Sequence, residues 1–214
     1  MNSCLCKCVI IIITGHLFLS GKPGVSEDLS LANLRCEMLV NPEGIDTPNP
    51  RLSWEILCGK RNTIQTAFQI IVASTPEKLA ANEGDLWNSG IVKSNRSVHV
   101  AYEGITLKSR TRCYWKAKVW SNSGESKWSR PAYWSMGLLD YSDWQGRWIG
   151  LDRSFPWDRE EKHSRLSARY FRKEFKVSGK VKYATVYIMG LGLYELYLNG
   201  QRIGNHVLAP APTD

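Results

Sequence analysis

The chain has 214 residues, 43% of them hydrophobic and 22% charged, with a formal net charge of +8. That length suits one large domain or two modest ones, and the apolar content excludes wholesale disorder. The basic excess would admit nucleic acid or an anionic membrane as partner, but no recognition helix, zinc finger or RNA-binding signature accompanies it.

Residues 1–24 read as a signal peptide. An apolar run over residues 9–20 has the length of an h-region and is too short to span a bilayer as a helix. Ser20, Gly21 and Gly24 offer small residues for cleavage, and Lys7 is the only basic side chain ahead of the run. Export to the periplasm or beyond follows, with no membrane span in the mature chain. Cys4, Cys6 and Cys8 fall in this leader, so their alternate spacing is not read as a metal site. Cys36, Cys58 and Cys113 remain. An odd count allows at most one disulfide, and spacing does not choose the pair.

Residues 28–140 read as short strands separated by turn signals, the pattern of an all-β sandwich. Residues 51–57 alternate, placing Leu52, Trp54 and Ile56 on one face. Phe68, Ile70 and Val72 repeat the period, and so do Trp115, Ala117 and Val119, with Lys116 and Lys118 facing outward. A last strand is expected near 129–136. One short helix fits at 76–82, capped by Thr75, with Pro76 at its first position and Gly84 beyond its end. It reads as a surface excursion.

Residues 142–150, Ser-Asp-Trp-Gln-Gly-Arg-Trp-Ile-Gly, read as a hinge, followed by a polar loop at 152–167. Basic residues crowd from Arg147 to Lys182, including Arg153, Arg159, Lys162, Arg165, Arg169, Arg172, Lys173, Lys176 and Lys180. They alternate with apolar residues or sit among mixed charges, so a solvated surface is preferred to nucleic-acid binding. Phe171, Phe175 and Val177 suggest a strand, 181–189 a central strand, and 193–198 a strand running into the hairpin turn Asn199-Gly200. Residues 201–204 would return. This second module, 144–214, reads as the start of a jelly-roll-type sandwich. It offers fewer strands than the roughly eight such a fold needs, so truncation is expected.

Candidate chemistry is sparse. Asp158, Glu160 and Glu161 form the best carboxylate cluster, but they lie beside Arg159 and Lys162 in a charged loop where burial is not expected. His16, His99, His163 and His206 are scattered without metal-ligand spacing. No nucleophile motif or phosphate-binding glycine loop occurs. No catalytic, cofactor-binding or metal-binding residue is therefore assigned, and no cofactor is expected. Trp120, Tyr133, Trp144, Trp148 and Trp157 fall outside the strongest inward-facing periods. They suit either sugar stacking or domain contacts, and contacts are preferred.

Leu107, Thr111, Cys113, Trp115, Ala117, Val119, Gly124 and Ser126 fall at spacings that resemble the penultimate strand and turn of a fibronectin type III, immunoglobulin-like sandwich. Trp54 matches that fold's buried tryptophan, while Cys113 stands where its corner tyrosine is usual. That hydrogen bond is then lost or taken up by Tyr114.

A longer series, Leu34-Arg35-Cys36-Glu37, Asn49-Pro50-Arg51-Leu52-Ser53-Trp54, Gly84-Asp85-Leu86-Trp87-Asn88-Ser89-Gly90 and Tyr114-Trp115-Lys116, continues through the hinge to Ser164-Arg165-Leu166-Ser167-Ala168-Arg169-Tyr170 and Gly192-Leu193-Tyr194-Glu195-Leu196-Tyr197-Leu198-Asn199-Gly200. In order and spacing it resembles the amino-terminal region of bacterial α-L-rhamnosidases, inverting glycoside hydrolases. The resemblance implies scaffold and substrate-recognition modules ahead of an (α/α)₆ catalytic barrel that this chain lacks. The partners implied are that missing catalytic domain and rhamnose-containing glycans, with no nucleic acid. A free-standing carbohydrate-binding or adhesive β-sandwich is the alternative.

Overall fold

The computed structural model describes residues 28–151, 155–157 and 168–204. The expected leader 1–24 with Cys4, Cys6 and Cys8 lies outside the described residues, as do Asp158, Glu160, Glu161, His16, His163 and His206. The chain divides after Trp148 into two units.

The first unit is a two-sheet antiparallel sandwich. One sheet runs β1 (Ser30–Cys36), β2 (Arg51–Leu57) and β6 (Val100–Ala101). The other centres on β3 (Gln65–Ala73) and β7 (Arg112–Ser121). Flanking β3 are β4 (Trp87–Asn88) and β5 (Val92–Lys93), and flanking β7 are β8 (Gly124–Glu125) and β9 (Ala132–Ser135). The core lies between the sheets because each long strand alternates in period two. Leu52 and Trp54 from β2 meet Phe68, Ile70 and Val72 from β3. Cys113, Trp115, Ala117 and Val119 from β7 are wholly buried with them. The Trp54 and Phe68 rings meet edge-on at 5.3 Å, a favoured aromatic geometry.

Alternation does not give the whole of β3. Ile71 and Ala73 point to the opposite face and are also buried, because α1 (Pro76–Ala80) lays Leu79 over them in a small second core. Thr75 caps this helix, its hydroxyl accepting from the Lys78 amide, with Pro76 in the first turn. The helix ends at Ala80, short of the expected 82. Lys116 is on the outer face as expected, yet is only 7% exposed. Its ammonium lies 5.2 Å from the Trp128 ring centre, and that burial lowers its pKa.

Polar groups in this core are satisfied by specific partners. Gln65 accepts from the Trp54 indole at 3.1 Å and donates to the carbonyls of Ser94 and Arg96 at 3.0 and 2.8 Å. Tyr102, 2% exposed, donates to Leu86 O at 3.0 Å and lies 2.9 Å from Ile105 O. Gly104 permits that approach: a Cβ there would overlap the Leu86 carbonyl and the Tyr102 hydroxyl. The tyrosine hydrogen bond that Cys113 cannot make is therefore not passed to Tyr114, which sits on the outer sheet face. Tyr102 instead ties the segment after β6 to the backbone just ahead of β4. Cys36, Cys58 and Cys113 are free thiols. Burial, first of all, pushes the Cys36 and Cys113 thiols up to about 12.

In the second unit the expected hairpin forms in shortened form, β10 (Tyr197–Leu198) pairing with β11 (Gln201–Arg202). Asn199 and Gly200 both take positive φ, 51° and 79°, as a primed two-residue turn requires. The Tyr197 hydroxyl donates to Glu195 at 2.8 Å, and Ile203 N donates to Leu196 O at 2.8 Å. The strands expected around Phe171–Val177 and at 181–189 are not formed. Phe171, Phe175 and Val181 are instead more than half exposed, at 54%, 66% and 57%. Alternation prepares a chain for a sheet, but a strand exists only once a neighbour completes its ladder. Among the described residues, no strand ladder includes these segments.

Candidate functional site

The outer face of the β3–β7–β9 sheet carries the most chemically varied side chains of the first unit. Period-two alternation along β7 places Arg112, Tyr114, Lys116, Lys118 and Trp120 there, and register sets Tyr133 opposite Tyr114. These rings stand 6.3 Å apart, and the Arg112 guanidinium lies 4.7 Å from the centre of Tyr133. Arg112 is also ion-paired with Glu43. Lys118 lies 5.0 Å from the Trp120 ring and 3.1 Å from Glu125. A cation over a ring contributes about 0.5–1 kcal/mol at exposed positions. Here it also occupies a ring face that a sugar would need. Trp120 and Tyr133 are thus outside the core as expected, but each is engaged by a cation of its own sheet.

The other three aromatics lie elsewhere. Trp144 and Trp148 follow the last strand, 37% and 65% exposed. Trp157 belongs to the second unit, stacked on Phe155 at 5.1 Å with the Arg169 guanidinium 4.8 Å from the Phe155 ring. The segment leaving the sandwich is anchored to it. Asp140 caps a turn at Tyr141–Asp143, and the Asp143 carboxylate accepts from the Ser109 hydroxyl. Arg110 donates to the Asp143 carbonyl at 2.7 Å, and Leu139 N donates to Ser109 Oγ at 2.8 Å. Residues 139–143 are thereby tied to the sandwich.

A general acid in glycoside hydrolysis needs a carboxyl whose pKa burial has raised. Every resolved carboxyl shift among the described residues runs the other way. The Arg51 guanidinium, bonded to both oxygens of Glu37, holds that carboxyl low. Burial opposes ionisation of Asp85, but Lys78 at 2.7 Å and the Ser74 hydroxyl and amide together hold it at about 2. Asp140 is held low by Ser142. These carboxylates are structural anions. His99 takes a positive φ of 55° with its amide on Ser53 Oγ at 3.1 Å. No group of three His, Cys, Asp or Glu able to hold a metal occurs among the described residues.

Residues 31–140 match the family model described as "Rha78A-like, N-terminal immunoglobulin domain", and 179–214 match "Alpha-L-rhamnosidase N-terminal domain". An α-L-rhamnosidase of Formosa agariphila is 43% identical over 81% of this chain. The chain belongs to the α-L-rhamnosidase family. It spans only 20% of that relative's length. The α-L-rhamnosidase structure from Dictyoglumus thermophilum matches 86% of this chain and 22% of its own, with 38% identity and a TM-score of 0.75. That of Streptomyces avermitilis α-L-rhamnosidase complexed with L-rhamnose matches 57% of this chain and 12% of its own, at 39% identity and a TM-score of 0.54. Family and immunoglobulin-like sandwich thus agree with the resemblance carried by Trp54, the β7 series and the hinge tryptophans. Sequence reasoning missed Gln65, Tyr102 and Gly104. Only the pairing of Tyr102 with a glycine two residues on could have signalled a tyrosine docked against backbone.

Proposed function

We propose that this chain is the exported, non-catalytic amino-terminal part of a longer α-L-rhamnosidase. Its first module, 28–140, is a scaffold and its second, 144–214, begins the sandwich that leads toward the catalytic domain. The observation that carries the reading is the match to family members over about a fifth of their length, joined to Glu37, Asp85 and Asp140, which are held ionised rather than poised as acids. Inverting hydrolysis needs an acid and a base about 6.5–9.5 Å apart on opposite sides of the bond. The apolar run at 9–20 supports export. The exposed side chains of the second unit, Phe171 and Phe175 among them, support a role in contacts with further domains and with glycan substrate. The test expresses this chain beside the longest polypeptide encoded by its reading frame. The longer protein should release rhamnose from an aryl α-L-rhamnoside. Inactivity of a folded longer protein would overturn the reading.

A further inference from the structure

A groove of about 300 Å³ opens at the side of the first unit, where β4 and β5 edge one sheet and β6 ends the other. Phe68, Trp87, Val92 and Val100 give it an apolar lining. Asn88, Arg96 and Glu103 add an amide, a guanidinium and a carboxylate. The volume is at the lower end of the roughly 300–1,000 Å³ typical of small-molecule sites, which suits one sugar ring rather than an oligosaccharide.

The walls are fixed before any ligand arrives. Gln65 holds the backbone of Ser94 and Arg96 from within the core, Ser94 N donates to Thr66 O at 3.0 Å, and Trp54 N donates to Ser97 O at 2.9 Å. Across the groove, Ser89 Oγ accepts from Ile70 N at 2.9 Å. The Asn88 amide oxygen is occupied by Gln69 and Gly90 N, each at 3.0 Å. Its NH₂, the Arg96 guanidinium and the Glu103 carboxylate have no hydrogen-bond partner among the described residues. Three unused polar groups of both signs therefore line one rigid, partly apolar groove.

We propose that this groove is a subsite for a single neutral pyranose. An anionic ligand would meet Glu103 and a cationic one Arg96, whereas a polyol ring uses both. Its hydroxyls accept from Arg96 and Asn88 and donate to Glu103, while its C–H face covers Trp87 and Val92. The proposal adds recognition to the scaffold role of the first module and rests on the rhamnosidase reading for the choice of probe.

The test is an amide NMR titration of the whole chain with methyl α-L-rhamnoside and methyl α-D-glucoside, and with methyl β-D-glucuronide as charged control. At least one neutral glycoside should give saturable shifts confined to Phe68 and residues 87–103, with Kd on the order of millimolar. The glucuronide should bind more weakly. Arg96→Ala combined with Glu103→Ala, both exposed positions, should weaken binding at least about tenfold at unchanged Tm. No saturable shift by about 100 mM, tighter binding of the glucuronide, or equal binding by the double variant would overturn the subsite. Binding is read without catalysis, so failure of the enzyme reading registers separately, in the activity of the longer polypeptide.

Discussion

Tyr102 concentrates several constraints in one side chain. Its ring packs edge-on to Trp87 and Trp134 at 5.4 and 5.9 Å, and its hydroxyl sits between two carbonyl oxygens. Tyr102→Phe leaves Leu86 O and Ile105 O without that hydroxyl, and thermal unfolding should report a loss of about 1–3 kcal/mol. Asp85 makes a pH-dependent contribution. Its folded pKa of about 2 lies below the ordinary 3.8, so its stabilisation is fully present above about pH 4 and is lost as pH falls through 2. Tm measured from pH 5 to pH 2 should fall more steeply for the wild type than for Asp85→Asn, with the two curves converging toward the acid end. Parallel curves would count against the Lys78–Asp85–Ser74 cluster. Neither residue could be assigned from sequence, because Asp85 and its partners Ser74 and Lys78 meet only once α1 has folded back over β3.

Elements whose partners lie within the first unit were legible. The alternation in β2, β3 and β7 identified core residues correctly because both faces of the sandwich are supplied by residues 28–140. The burial of Ile71 and Lys116 was not legible, since it depends on Leu79 and Trp128 covering the outer face of the sheet. The α1 cap is a local signal and held: Thr75→Ala should cost about 1 kcal/mol in a chemical melt. In the second unit, Asn199-Gly200 folds as a turn because its information is local. The segments around Phe175 and Val181 carry strand-like alternation but join no ladder among the described residues, and alternation alone does not make one.

At the scale of the molecule, two parts with different degrees of self-sufficiency follow from these facts. Residues 28–140 expressed alone should unfold in one cooperative transition, since their core closes on itself. Residues 144–214 alone should melt broadly, with apolar side chains available to a dye such as ANS. A sharp transition in that piece would move the proposed domain boundary. No helix among the described residues is long and apolar enough to cross a membrane.

We propose a division of labour in which these modules support rhamnose removal without performing it. Incubating the purified, folded chain with 4-nitrophenyl α-L-rhamnoside tests it most directly. Release of nitrophenol should be no faster than with a heat-killed sample. Turnover above that control, proportional to the amount of folded chain, would contradict it.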